Sequence, residues 1–154
     1  MRRSPSTEGF SLPEIMVVLV VTGILAALTM PPLITVLRTN RTEQAINEIA
    51  ISLRSARAKA ISQGNNFVWT WDNVNKTYSA FDDDDNDGVR DVGELLYGPS
   101  PVPTDITVLT TTLPATITFR PLGNASAGGT ADVSDGHGGM MRISIDSATG
   151  MVSV

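Results

Sequence analysis

The chain has 154 residues, 42% hydrophobic and 18% charged, with 13 glycines, 9 prolines and no cysteine. Without cysteine there is no disulfide framework, thiolate nucleophile or Cys-ligated zinc site, and the single histidine, His137, excludes a His-rich metal centre. A net charge of −5 gives no broad electrostatic footprint for nucleic acid.

Apolar residues crowd the N-terminal part. From Ile15 to Ile34 twenty residues pass without a charge, and about 20 apolar residues in a helix cross a hydrocarbon core of roughly 30 Å. A buried core helix is the competing reading, but a run apolar on every side suits lipid better than the interior of so small a chain. Arg2 and Arg3 are the only basic residues ahead of it, and the positive-inside rule then places the N-terminus in the cytoplasm and the body outside. A cleaved secretory signal would need a small-x-small site after the run, which LTMPPL lacks. Pro13 and Glu14 open the run. Proline is tolerated in a first helical turn, whereas an unpaired carboxylate in lipid costs about 3 kcal/mol.

The segment Gly9-Phe10-Ser11-Leu12-Pro13-Glu14, followed by this apolar run, resembles the class III signal of type IV pilins and type II secretion pseudopilins. The resemblance implies that a prepilin peptidase cuts between Gly9 and Phe10, that the new Phe10 amine is N-methylated, and that Glu14 serves subunit assembly. Amine and carboxylate are each costly alone in lipid, and they neutralise one another across neighbouring subunits. Position 13 is more often a bulky aliphatic in that family, so Pro13 bears on where the helix starts and not on the cleavage pair. Gly23 and Pro31 fall at the weak points of a pilin first helix, while Pro31-Pro32 also reads as a possible helix end.

Beyond the prolines, Ile46, Ile49, Ala50, Leu53, Ala56, Ala60 and Ile61 form one helical stripe, with Arg41, Arg54, Arg57 and Lys59 expected on a solvated face. Gly64 supplies a helix stop after Gln63. The spacing predicts one long helix over 12–63, its first half in lipid and its second on a head. Strand patterns follow at 67–71, 77–81, 106–110, 117–120, 141–145 and 151–154, with a turn at 72–75 and a hairpin loop at 146–150. Residues 123–139, with six glycines, read as a mobile loop. A helix followed by antiparallel strands is α+β. The expected divisions are a leader over 1–9, an apolar helix over 10–34, an amphipathic helix over 35–64 and a β-rich head over 65–154.

The body is similar to the GspH/FimT branch of pilin-like proteins. The carriers are LRSARAKAISQG over Leu53–Gly64, Phe81-Asp82 with NDGVRDVGE over Asn86–Glu94, ITFRPLG over Ile117–Gly123, and the closing pair Ile143–Ile145 and Thr149–Val152. This resemblance implies a pilin-like fold, a helix packed on a small antiparallel sheet. It also implies a structural role, with no enzymatic one, as a minor pseudopilin near the tip of a type II secretion pseudopilus that exports folded proteins. A minor pilin of type IV pili, for pilus biogenesis or DNA uptake, is the alternative. Partners would be the prepilin peptidase and other pseudopilins or pilins, and the chain would be single-pass in the bacterial inner membrane with a periplasmic head.

The loop Asp83, Asp85, Asp87, Gly88, Val89, Asp91, Glu94 fits the spacing of an EF-hand-type calcium loop, with the Val89 carbonyl at the seventh position. Calcium at these residues and a solvated acidic turn are both open readings, and a membrane-tethered calcium-binding module is a third function of another class. No cofactor is required on either of the filament readings. His137 with Asp132 and Asp135 is a weak metal candidate, and Trp69 and Trp71 suit a core better than a base-stacking platform. No nucleophile elbow or phosphate loop occurs. Residues 65–154 carry four basic and twelve acidic side chains, so no nucleic-acid partner is expected.

Overall fold

Helix α1 runs over Leu12–Gln63. The Ser11 carbonyl accepts the N–H of Glu14 at 3.0 Å and of Ile15 at 3.2 Å, Pro13 occupies a turn where a missing donor costs nothing, and Glu14 meets the positive end of the helix dipole. The helical backbone continues through positions 31 and 32, so the proline pair does not end it. It stops at Gly64, whose φ of +77° is a left-handed conformation and whose N–H donates to the Ala60 carbonyl at 3.1 Å.

This computed structural model describes residues 9–110 and 112–154, without the side chains of residues 30–32 and 110. The leader expected over 1–9, with Arg2 and Arg3, lies outside the described residues except for Gly9. The chain divides after Leu37 into two units. In the first, every described side chain from Phe10 to Leu37 is exposed. The helix is long and apolar enough to cross a bilayer, and none of its most apolar window is buried. Thr22 returns its hydroxyl to the Val18 carbonyl at 2.7 Å and Thr29 to the Leu25 carbonyl at 3.0 Å, so both hydroxyls are satisfied within the helix in an apolar medium.

The second unit, Arg38–Val154, holds the rest of α1 and, among the described residues, eight strands. These are β1 (Asn66–Asp72), β2 (Thr77–Asp83), β3 (Leu96–Pro101), β4 (Thr107–Thr110), β5 (Thr116–Phe119), β6 (Gly129–Ser134), β7 (Met140–Ile145) and β8 (Val152–Ser153). They make two four-stranded sheets in the orders β3-β2-β1-β5 and β4-β6-β7-β8, antiparallel throughout. Alternation sends Phe67, Trp69 and Trp71 of β1, Ile117 and Phe119 of β5, Ala131 and Val133 of β6, and Ile143 and Ile145 of β7 into one core. The face of α1 that meets them carries Ala45, Ile46, Ile49, Ala50, Leu53, Ala56 and Ala60, all buried.

Three expectations are corrected. The strands form two sheets where the sequence suggested one. The glycine-rich stretch 123–139 contains β6, which pairs with β7 over its whole length and with β4 over Ala131–Ser134. Its backbone is held by ladder bonds on both sides, and Ala131 and Val133 supply enough alternation to bury one face despite the flanking glycines. The stripe on α1 ends at Ala60, since Ile61 is 46% exposed. β3, with two prolines, has no alternating pattern and was not expected as a strand.

Leu53→Ala removes a fully buried side chain and is expected to destabilise the folded unit by about 2–5 kcal/mol, whereas Ile61→Ala should stay within about 0.5 kcal/mol. Urea unfolding followed by the fluorescence of the core tryptophans measures both.

Candidate functional site

β2 ends where the acidic loop begins, and the strand's alternation divides the acids. Asp82 stands opposite Phe67, on the same face as Tyr78 and Ala80, and so towards α1, while Asp83 takes the other face. Both are buried. Asp82 has one carboxylate oxygen, Oδ1, with no hydrogen-bond partner among the described residues. Burial and then the neighbouring Asp84 charge push its pKa up, with a hydrogen bond from Asn65 and then the Lys59 charge pulling the other way. The Lys59 ammonium sits 3.7 Å from the centroid of the Tyr97 ring and 5.8 Å from that of Phe67.

Asp83 is the anchor of the loop. Its carboxylate oxygens both lie 3.2 Å from the Gly88 N–H, and Gly88 has a φ of +79°, open to a residue without Cβ. Asp85 Oδ1 accepts from the Asp87 N–H at 3.2 Å, and Asp87 Oδ1 accepts from the Val89 N–H at 2.7 Å. Asp83, Asp85 and Asp87 thereby bring one carboxylate oxygen each within 4.8 Å of one another. Glu94, also buried, closes the loop from its far end, accepting the Asp84 N–H at 3.1 Å and the Asp91 N–H at 2.8 Å. The structure therefore assembles three of the six residues expected at the candidate calcium site. Val89, Asp91 and Glu94 lie outside that carboxylate group, with Glu94 occupied by the backbone. Burial raises the Asp83 pKa first of all, the Gly88 N–H opposes this, and the charges of Glu94, Asp85 and Asp87 add to it. Three carboxylates at this separation suit a hard cation with oxygen ligands.

The other candidates resolve in structural terms. Trp69 and Trp71 are buried in the core, and the Trp69 Nε1–H donates to Ser52 Oγ at 2.9 Å. Asp132 is held by a bidentate pair with Arg142, Nε to Oδ1 at 2.7 Å and Nη2 to Oδ2 at 3.0 Å. Asp135 accepts the N–H groups of His137 and Gly139, so His137, Asp132 and Asp135 form no ligand group. Gly9, Phe10 and Glu14 lie on or beside the first turn of α1, exposed.

The helix face expected to be simply solvated is instead tied down. Arg54 donates through Nε and Nη2 to the Val152 carbonyl at 3.2 and 3.0 Å. Arg57 donates through Nε to the carbonyls of Gly123 at 2.9 Å and Thr149 at 3.1 Å. Arg41 pairs with Asp105 at 3.3 Å. Spacing on α1 could show that Arg54 and Arg57 share a face, but their backbone acceptors lie 98 residues away for Arg54 and 66 and 92 for Arg57, beyond any local signal.

Comparison with known proteins agrees with this architecture. The family model described as type II transport protein GspH matches residues 45–149, and a prokaryotic N-terminal methylation motif matches residues 5–30. No curated protein matches the chain. Among solved structures, the type IV minor pilin FimU of Pseudomonas aeruginosa superposes with a TM-score of 0.59 at 18% identity, over 75% of this chain and 88% of that one. In a second crystal form of FimU the values are 0.54 and 21%, over 72% and 90%. The minor pseudopilin EpsH from the type 2 secretion system of Vibrio cholerae gives 0.55 at 12% identity, over 73% and 94%. These likenesses are of fold.

Two substitutions should respond to pH with opposite signs. A carboxyl with a raised native pKa binds more protons folded than unfolded, so the stability it contributes is lost as pH climbs through the carboxylate range. With chelator present, Asp83→Asn should therefore gain on the unsubstituted chain as pH rises from about 4 to about 7. Asp132, whose pKa the Arg142 hydrogen bond lowers, contributes stability above that range, so Asp132→Asn should lose ground over the same interval. Thermal unfolding across the pH series reads both slopes.

Proposed function

The chain belongs to the family of type II transport protein GspH, and on that premise we propose that it is a minor pseudopilin of a type II secretion system. The observation that carries the proposal is the pairing of that family's model over residues 45–149 with a methylation motif over 5–30, on a chain whose apolar helix has every described side chain exposed up to Leu37. In this reading the head stands on the periplasmic side near the tip of the pseudopilus, and the apolar helix passes from the inner membrane into the filament core. The role in this reading is structural. A minor pilin of type IV pili is the second reading. It is compatible with the methylation motif, common to both machines, and draws its support from the fold shared with FimU, itself a type IV minor pilin. Loss of exoprotein secretion in a deletion strain supports the first reading, and loss of surface pili with secretion intact supports the second.

Processing follows from the same premise. The prepilin peptidase cuts between Gly9 and Phe10, the Phe10 amine is methylated, and Glu14 pairs with such an amine on a neighbouring subunit. Phe10 is 78% exposed and Glu14 is exposed beside it, so both groups are free to meet another chain. A cation and an anion facing each other in lipid avoid the cost each would carry alone. The intact mass of chain extracted from membranes should correspond to methylated Phe10–Val154. Glu14→Ala should leave that mass pattern intact apart from the substitution while reducing co-purification with other pilin-like subunits. A retained leader, or normal incorporation of the variant, contradicts the scheme.

For the acidic loop we propose that one Ca²⁺ is held by Asp83, Asp85 and Asp87, with the Val89 carbonyl, Asp91 and, on release of its bonds to the Asp84 and Asp91 N–H groups, Glu94 supplying further oxygens. Support comes from the convergence of the three carboxylates and from the raised pKa of Asp83, whose charge a cation would compensate. The same loop would serve a membrane-tethered calcium-binding module, which a chain found without other pilin-like subunits would favour. Ca²⁺ at about 100 times its Kd should add about 2.7 kcal/mol, a rise in melting temperature of roughly 10 °C. Asp85→Asn should remove most of it. Coincident melting curves in calcium and chelator would leave the loop a solvated turn.

A further inference from the structure

Arg54 and Arg57 stand three residues apart on α1 and line an open pocket of about 200 Å³ with Gly150, Met151 and Val152. Each is oriented by neutral backbone oxygens, the Val152 carbonyl for Arg54 and the Gly123 and Thr149 carbonyls for Arg57. Neither meets a carboxylate among the described residues, where the ion pairs are Arg41–Asp105 and Arg142–Asp132. Two like charges side by side with no counter-charge are unusual on a chain of net charge −5. The carbonyls hold the side chains in place without neutralising them, and Arg57 commits only Nε, which leaves both its terminal NH₂ groups for a ligand. A guanidinium whose position is already fixed loses less freedom on binding, and its fork matches a carboxylate. The rim is apolar. Met151 is 64% exposed, Leu122 beside Gly123 is 94% exposed, and Ile61 lies against Gly123.

We propose that this pocket receives a carboxylate from an acidic, apolar-flanked segment of a neighbouring protein subunit. Charge complementarity favours that occupant over nucleic acid. Residues 65–154 carry twelve acidic against four basic side chains, which repels a polyanion that would have to run across the head. A single carboxylate between two guanidinium groups needs no such extended contact, and the apolar rim suits a peptide. This chain's own loop displays the chemistry, with the exposed acids Asp84, Asp85 and Asp87 next to exposed Val89, Val92 and Leu95. The proposal rests on the filament reading for the source of the segment, but the pocket itself can be tested on the isolated chain.

The probe is a capped peptide of residues 82–96, titrated by fluorescence anisotropy into the full chain in neutral detergent with chelator present. Binding is expected at about 0.1 M ionic strength and should be lost near about 1 M, where the screening length falls from about 10 Å to about 3 Å. The same peptide with Asn for every Asp, and the Arg54→Gln chain, should each bind about three- to tenfold more weakly. Met151→Asp, on the exposed rim and away from the core, should weaken binding similarly and covers the case in which Arg54→Gln fails to fold. No binding of the peptide, equal binding of its Asn form, or indifference to Met151→Asp overturns the proposal. So does a duplex oligonucleotide that binds where the peptide does not. Because the titration needs no assembly, peptide binding by a chain that never enters a filament would uphold the pocket and count against the filament reading alone.

Discussion

One helix face has to close two sheets. Among the described residues neither four-stranded sheet has a helix of its own, and the inner faces of both converge with the Ala45–Ala60 stretch of α1 in a single core. That constraint accounts for the size pattern along the stripe. Ala45, Ala50, Ala56 and Ala60 admit the strands closely, and Ile46, Ile49 and Leu53 fill the space between the sheets. It also accounts for the polar ties at the edges of the stripe. Ser52 receives the indole N–H of Trp69 from one sheet, and Arg54 donates to the β8 carbonyl of Val152 in the other. The helix is thus both the cover and the clamp.

The acidic loop inherits its geometry from this packing. Because the inward residues of β2 must be those that meet α1, Asp82 is carried to the helix side and Asp83 to the opposite side. Two adjacent carboxylates acquire different work. Asp82 sits near the Lys59 ammonium with an oxygen unpaired, while Asp83 gathers the turn through Gly88. Glu94 then fastens the far end of the turn to Asp84 and Asp91, so the loop is braced at both ends. A turn held in this way keeps little backbone freedom.

The apolar segment obeys a different rule. Its described side chains are exposed on every face, and the hydroxyls of Thr22 and Thr29 are satisfied within the helix. Such a segment is stable only where lipid or other apolar helices replace water. The match to the GspH family over residues 45–149 and the methylation motif over 5–30 bring the two segments together on one chain. The head supplies specific surfaces, and the N-terminal helix supplies the means of being held in a membrane or an assembly.

Much of this was legible in the amino-acid sequence, because the signals involved are local. Twenty uncharged residues, a three-and-four stripe from Ile46 to Ala60, a glycine stop at Gly64 and alternation in 67–71 and 77–81 depend on near neighbours, and the corresponding elements stand where the spacing put them. The ligand spacing of the acidic loop was visible for the same reason, although the gathering of Asp83, Asp85 and Asp87 apart from Glu94 was not. What tertiary structure decided was everything fixed by a distant partner. β6 exists because β4 and β7 satisfy its backbone on both sides, not because its glycine-rich sequence favours a strand. β3, with Pro99 and Pro101, is a strand because β2 pairs with it. Arg54 and Arg57 read as solvated charges until the chain's last hairpin, far away in sequence, brings its carbonyls to them. Hydrogen bonds across such separations leave no periodicity behind, so only the folded chain reveals them.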